Sequence, residues 1–176
     1  AEVVFGHPGE LRAGLLDEHM DRNTAVCDLP LHPDCGLSID HHQTNEPSED
    51  DGSGAVIVWR SSPSAARIAY ELVSERVDLS DLDSLLTWVD KLDGGRVTRE
   101  EYLSDHPALW LGRVIDVGEG TATRVLESLQ EGRDIEAILS DSYIASRVAE
   151  RRDQRVALTQ AILERVYVED RLGIAR

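Results

Sequence analysis

The tripeptide Asp40-His41-His42 closes a short apolar run, Leu37 to Ile39, and is the sharpest chemical feature of the chain. An imidazole beside carboxylates suits a borderline divalent cation such as Mn²⁺, Fe²⁺, Co²⁺ or Zn²⁺. Neighbouring strand residues face opposite sides, so the two histidines are expected to divide the work. One would bind metal, and the other would meet a phosphate or stabilise developing charge. Asp28 directly follows the apolar ladder Thr24-Ala25-Val26-Cys27. If the two strands run parallel, its carboxylate lies at the same sheet edge, where it can bridge two cations. Asp90 and Asp93 end an apolar helix, a place where carboxylates oppose the helix dipole. A cation would compensate them, as would Lys91 or solvent. Singly, each feature has an ordinary explanation: a hydrogen-bonded histidine pair, an aspartate capping a turn, two solvated helix-end acids.

The elements that must position these groups are legible in outline. Val3 to Phe5 reads as a short strand stopped by the turn cluster Gly6-His7-Pro8-Gly9. Thr24 to Cys27 and Leu37 to Ile39 read as two more, each ending in polar residues at its C-terminal edge. A loop with the acidic stretch Glu49-Asp50-Asp51 follows. Ala55 to Trp59 is then a buried strand or the start of a helix, which periodicity does not decide. Ser62-Pro63 signals a helix start, with Ala65, Ile68, Ala69, Leu72 and Val73 at helical spacing. Ser80 opens a second helix that Gly94-Gly95 stops. Leu109 to Val117, Thr121 to Leu129 and Ile135 to Leu139 are further short helices. Asp141 to Val166 is one long helix, and Tyr167 to Arg176 reads as the beginning of a strand. The fold class expected is α/β: a mostly parallel sheet flanked by helices, then a helical part and a long interdomain helix.

Composition narrows the function classes. Thirty-four acidic residues face 18 basic ones, a net charge of −16 in 176 residues, and Lys91 is the only lysine. Such a field repels nucleic-acid phosphates, which argues against coating duplex DNA. The longest apolar run, Ala55 to Trp59, is far short of the roughly 20 residues of a membrane span. With no signal-peptide pattern, a soluble, cytoplasmic protein without a membrane partner is expected. Cys27 and Cys35 are too few for a disulfide framework and read as small buried residues. Cys27, His32, Cys35 and His41 have zinc-binding side chains but not a standard finger spacing. Gly118-Glu119-Gly120-Thr121 lacks the lysine of a phosphate loop and reads as a helix break. Trp59, Trp88 and Trp110 read as core residues. Arg147, Arg151, Arg152 and Arg155 form a basic stretch of the long helix, read first as a solvated face.

Taken in order, Cys27-Asp28-Leu29-Pro30, Cys35 to His42, Pro63-Ser64-Ala65-Ala66-Arg67 and Asp90-Lys91-Leu92-Asp93 resemble the DHH phosphoesterase superfamily, particularly its exopolyphosphatase-like branch. That superfamily includes manganese-dependent pyrophosphatases, single-strand exonucleases and oligoribonucleases. The resemblance implies a DHH domain over residues 1–140, a connecting helix over 141–166, and the start of a C-terminal domain over 167–176. It implies metal ligands at Asp28, His41 and Asp90. His42 would be a catalytic group on the scissile phosphate, and Asp40 would orient His41. Ser64 and Arg67, at a helix start, are phosphate contacts by geometry only. Asp93 is a neighbour without an assigned role. The implied cofactor is a pair of Mn²⁺ ions, with Mg²⁺ or Co²⁺ as substitutes. The family's first motif, a strand-end cluster of histidine or arginine with two aspartates, has no counterpart before Val3. The glycine-rich second domain has none after the long helix, so a piece of a larger protein is expected, weakly active alone. The partner is a small phosphate-containing substrate or a short single-stranded oligonucleotide, and a homodimer is compatible. The alternative function is a non-catalytic nucleotide- or metal-binding module with the same fold.

Overall fold

A computed structural model describes residues 2–48, 52–116, 118, 120–169 and 172–175, with side chains described through residue 165. The acidic stretch at 49–51 and Glu119 of the glycine-flanked loop lie outside the described residues. The chain divides into two compact units, residues 1–99 and 100–176.

The first unit is built on a three-stranded parallel sheet in the order β1 (Ala25–Cys27), β2 (Leu37–Asp40), β3 (Val56–Trp59). β1 sets Cys27 opposite Ile39, and β2 sets Asp40 opposite Trp59. Because all three strands run the same way, Asp28, Asp40 and the residues after Trp59 come to one edge. β2 is the central strand, and Ser38, Ile39 and Asp40 are all buried there. Parallel pairing also decides Ala55–Trp59 as a strand: Val56, Ile57 and Val58 are β-branched residues that suit a pleated surface. The crossing from β1 to β2 is short and depends on Gly36. A Cβ there would stand 2.0 Å from the Arg22 carbonyl oxygen, so only glycine lets the two backbones approach.

A short helix α1 (Pro8–Arg12) precedes the sheet, α2 (Ala65–Ser74) follows β3, and α3 (Asp83–Asp93) follows a 3₁₀ turn at Ser80–Leu82. The cap of α2 is Ser64, which accepts the Arg67 N–H at 3.0 Å; the Ser62-Pro63 start was two residues early. Ala65 and Ile68 are buried, whereas Leu72 and Val73 are 40% and 45% exposed. α3 stops where Gly95 takes a left-handed φ of 63° and the Arg96 N–H reaches back to the Lys91 carbonyl.

Val3 to Phe5 is not a strand. The three residues have no regular structure and are exposed: no described strand pairs with them, and a lone strand has no ladder to satisfy its backbone. Cysteine burial also divides: Cys35 is buried and Cys27 is exposed.

The second unit contains α4 (Arg99–Leu103), α5 (Pro107–Val114), α6 (Thr121–Gln130), α7 (Ile135–Leu139), α8 (Ser142–Arg165) and an antiparallel hairpin, β4 (Val166–Glu169) and β5 (Leu172–Ala175). Trp110, Leu111, Val114, Val125, Ile138, Ile144 and Val148 make one apolar cluster. α4 lies outside the helices expected from the sequence, although Thr98-Arg99-Glu100-Glu101 carries the residue types of a capping box. The basic stretch of α8 is more than a solvated face. Arg152 lies over the Trp110 ring, Arg155 over the Tyr102 ring, and Arg113 over both rings. Trp110 is a core residue at 5% exposure. Trp59 and Trp88 are only part-buried. No helix among the described residues is long and apolar enough to cross a membrane.

Candidate metal centre

Asp28 sits one residue beyond β1, in the left-handed region at φ 62°, the only described non-glycine residue with positive φ. Its N–H still donates to the Ile39 carbonyl at 2.9 Å, so the ladder holds the backbone while the strained turn aims the side chain off the strand. Strain of this kind concentrates at functional positions.

At the end of β2, Asp40 is 3% exposed and saturated with hydrogen bonds. Oδ1 accepts the His41 N–H at 2.7 Å, the His42 N–H at 3.1 Å and His42 Nδ1 at 2.7 Å, while Oδ2 accepts the Asn45 amide at 2.7 Å. Burial acts to raise the Asp40 carboxyl, but these bonds together outweigh it and hold it below its ordinary value. The His42 ring is raised, first by the Asp40 hydrogen bond, against an opposing effect of burial. Asp40 therefore orients the His42 ring and the backbone of the turn. The expectation that it orients the His41 ring is corrected: that ring is held by the Ser62 carbonyl, 3.0 Å from Nδ1.

A carbonyl only accepts, so Nδ1 of His41 carries a proton and Nε2 is the ring nitrogen left to face the cleft; without a second proton it presents a lone pair. That atom is buried and makes no hydrogen bond. It faces Asp28 Oδ1 at 3.3 Å and Asp93 Oδ2 at 3.2 Å. A lone pair directed at two carboxylate oxygens is repulsive unless a positive charge lies among them. For metal–ligand bonds of about 2.1 Å, neighbouring ligand atoms stand about 3.0 to 3.5 Å apart. His41 Nε2 stands at that separation from each of the two carboxylate oxygens, as it would if it shared a divalent cation with them. Asp28, His41 and His42 each offer one ligand atom, all within 4.8 Å of one another. The Asp28 carboxyl is raised, mainly by burial and then by repulsion from Asp93, with the two imidazoles opposing.

The structure thus brings together Asp28, Asp40, His41 and His42. It does not bring Asp90 to the group. The Asp90 carboxylate is engaged by Ser64 Oγ at 2.7 Å and by Arg67 at 2.9 and 2.5 Å, and Asp93, one turn later, faces His41 instead. Ser64 and Arg67 are correspondingly taken up with Asp90. The sequence reading missed Asn45, the Ser62 carbonyl, and Trp59, whose indole N–H donates to the His42 carbonyl at 2.9 Å. No spacing signal marks a backbone carbonyl. For Asp93 there was one: it is the last helical residue before Gly94, so its side chain stands at the helix end rather than on its flank. The cysteines take no part. His32 pairs instead with Asp17 at 3.3 Å, and no group of metal-ligating side chains among the described residues includes a cysteine.

No family model matches the sequence, and no curated protein matches it. Among solved structures the chain is similar to a pGpG-specific phosphodiesterase, PggH, from Vibrio cholerae, with a TM-score of 0.74 at 20% identity. The fold is shared with a phosphodiesterase. The likeness covers 98% of this chain and 58% of that one, so the chain spans little more than half the length of its structural neighbour. This confirms the α/β class expected from the sequence, with a parallel sheet flanked by helices.

Proposed function

We propose that the protein is a divalent-metal-dependent phosphoesterase of the DHH type that hydrolyses a phosphodiester in a small nucleotide or short oligonucleotide. The observation that carries the reading is His41 Nε2, a buried ring nitrogen without a hydrogen bond, facing the carboxylates of Asp28 and Asp93. The fold shared with a pGpG-specific phosphodiesterase supports a linear dinucleotide as the substrate class to test first. The acidic composition favours a small, cation-chelated substrate over duplex DNA. The resemblance to the superfamily rests on the same residues; its exopolyphosphatase-like branch has no support beyond the motifs.

Asp28, His41 and Asp93 would hold the cation, Mn²⁺ being the first candidate, with Mg²⁺ or Co²⁺ as substitutes. A cation held there supplies charge neutralisation at phosphoryl oxygens and lowers the pKa of a coordinated water. The Ser62 carbonyl keeps the proton on His41 Nδ1 and so keeps Nε2 available. Asp40 anchors Nδ1 of His42 and leaves its other ring nitrogen to meet substrate. The raised affinity of His42 for a proton suits it to meet a phosphoryl oxygen as a cationic donor. Asn45 completes the Asp40 shell by donating its amide to Oδ2.

The test is hydrolysis of pGpG in Mn²⁺ and in EDTA, with Asp28→Ala and His41→Ala beside the wild-type chain. Cation-dependent release of mononucleotide that both variants abolish supports the reading. Cation binding without hydrolysis would favour the non-catalytic binding module, and unchanged hydrolysis in both variants would rule out the site.

A further inference from the structure

The loop between β3 and α2 touches both sides of the candidate centre within three consecutive residues. The Ser62 carbonyl accepts His41 Nδ1 at 3.0 Å. The Pro63 carbonyl lies against Gly94, where an added Cβ would stand 3.4 Å from it and 2.7 Å from the Asp90 carbonyl. Ser64, 1% exposed, donates its hydroxyl to Asp90 Oδ1 at 2.7 Å. Its oxygen also accepts the Arg67 N–H at 3.0 Å, and the Arg67 side chain donates twice to Asp90 Oδ2. Asp90 is one helical turn before Asp93 on α3, so whatever fixes Asp90 fixes the approach of Asp93 to His41.

We propose that Asp90, Arg67 and Ser64 form a positioning clamp that ties the end of α3 to the β3–α2 loop, holding Asp93 Oδ2 and His41 Nε2 at ligand spacing. The proposal rests on the metal reading above and assigns Asp90 a role different from that of a ligand. Two physical points separate the roles. Both Asp90 oxygens already accept charge-assisted or buried hydrogen bonds, which a cation would have to displace. The Arg67 guanidinium on Asp90 also repels a cation approaching the same carboxylate. As a clamp the pair has the opposite value: removing one partner leaves the other charge half-buried and unpaired, and the helix end is released.

The decisive measurement is Mn²⁺ affinity by calorimetry on the whole 176-residue chain, with Co²⁺ absorption at saturation reporting the ligand set. The clamp predicts that Arg67→Ala and Asp90→Ala each weaken Mn²⁺ binding by about tenfold. Combining them should cost little more than either alone, because they break one interaction. Asp90→Asn, whose amide oxygen still accepts from Ser64 but whose NH2 cannot accept from Arg67, should fall between wild type and Asp90→Ala in affinity, and the Co²⁺ spectrum should match wild type throughout. Asp93→Asn should change that spectrum. If Asp90 were a ligand held in reserve, Arg67→Ala would free it and tighten binding; tighter or unchanged binding there overturns the clamp. So does an Asp90→Asn variant as weak as Asp90→Ala with an altered Co²⁺ spectrum. Thermal melts establish that each variant is folded at the temperature used. Should Arg67→Ala not fold, Arg67→Lys decides: weakened binding supports the clamp, and unchanged or tightened binding overturns it. Wild-type chain that binds no Mn²⁺ would defeat the metal reading itself, and the clamp with it.

Discussion

Replacing Asp28 by glycine should change stability in opposite directions with and without metal. At φ 62° a non-glycine residue carries strain of about 1–2 kcal/mol, which glycine relieves. Glycine in turn costs about 0.5–1 kcal/mol in backbone entropy, leaving a net gain of about 1 kcal/mol. Removing a carboxylate that burial and Asp93 both disfavour adds to the gain with the same sign. In EDTA, Asp28→Gly should therefore melt about 2–4 °C above wild type. Mn²⁺ at a hundred times its dissociation constant stabilises wild type by about 2.7 kcal/mol, and the variant, lacking a ligand, should gain little. The order then inverts, with wild type ahead by about 1.7 kcal/mol, or roughly 3–7 °C in melting temperature. Melting curves followed by circular dichroism in the two buffers read both effects on one pair of proteins. A variant less stable than wild type in EDTA would refute the strain argument, and one that gains as much from Mn²⁺ as wild type does would refute the ligand assignment.

The other expectations concern the scaffold of the site and the second unit. In EDTA, the stability that the Asp40–His42 pair adds should be full between about pH 3.9 and 6.5, the ordinary values of the two groups. It is lost as acid passes the depressed value of Asp40 and as rising pH passes the raised value of His42. Urea midpoints of wild type and His42→Ala should therefore differ most inside that window and converge on both sides, and a gap independent of pH would contradict it. Gly36→Ala should lower unfolding stability by about 3 kcal/mol in a urea titration, because the added Cβ meets Arg22 backbone that cannot swing aside. Ile138→Ala should cost about 2–5 kcal/mol, since the side chain is fully buried in the cluster of the second unit. A loss below about 1 kcal/mol would show that the cluster closes around the gap.

Local patterning made most of the first unit legible. Two of its strands run out into aspartates, and the sequence places Asp28 and Asp40 at one edge on condition that the strands run parallel, as they do. Val3 to Phe5 has the same apolar character and is no strand, because a strand exists only through its neighbour and composition carries no information about pairing. Ala55 to Trp59 was undecidable for the same reason and was settled by the register against β2.

What the sequence determined by itself was the inventory: which residues can ligate or donate, that they close elements, and that the surface is strongly acidic. Side-chain type and chain punctuation are local properties, and local properties survive in one dimension. Only the tertiary structure decided that Asp93 rather than Asp90 faces His41, and that Asp40 serves the His42 ring. Two aspartates three residues apart have the same chemistry, and a helix brings both near one face. The choice between them was made by Arg67 and Ser64, arriving from another helix and taking one carboxylate while leaving the other facing the imidazole.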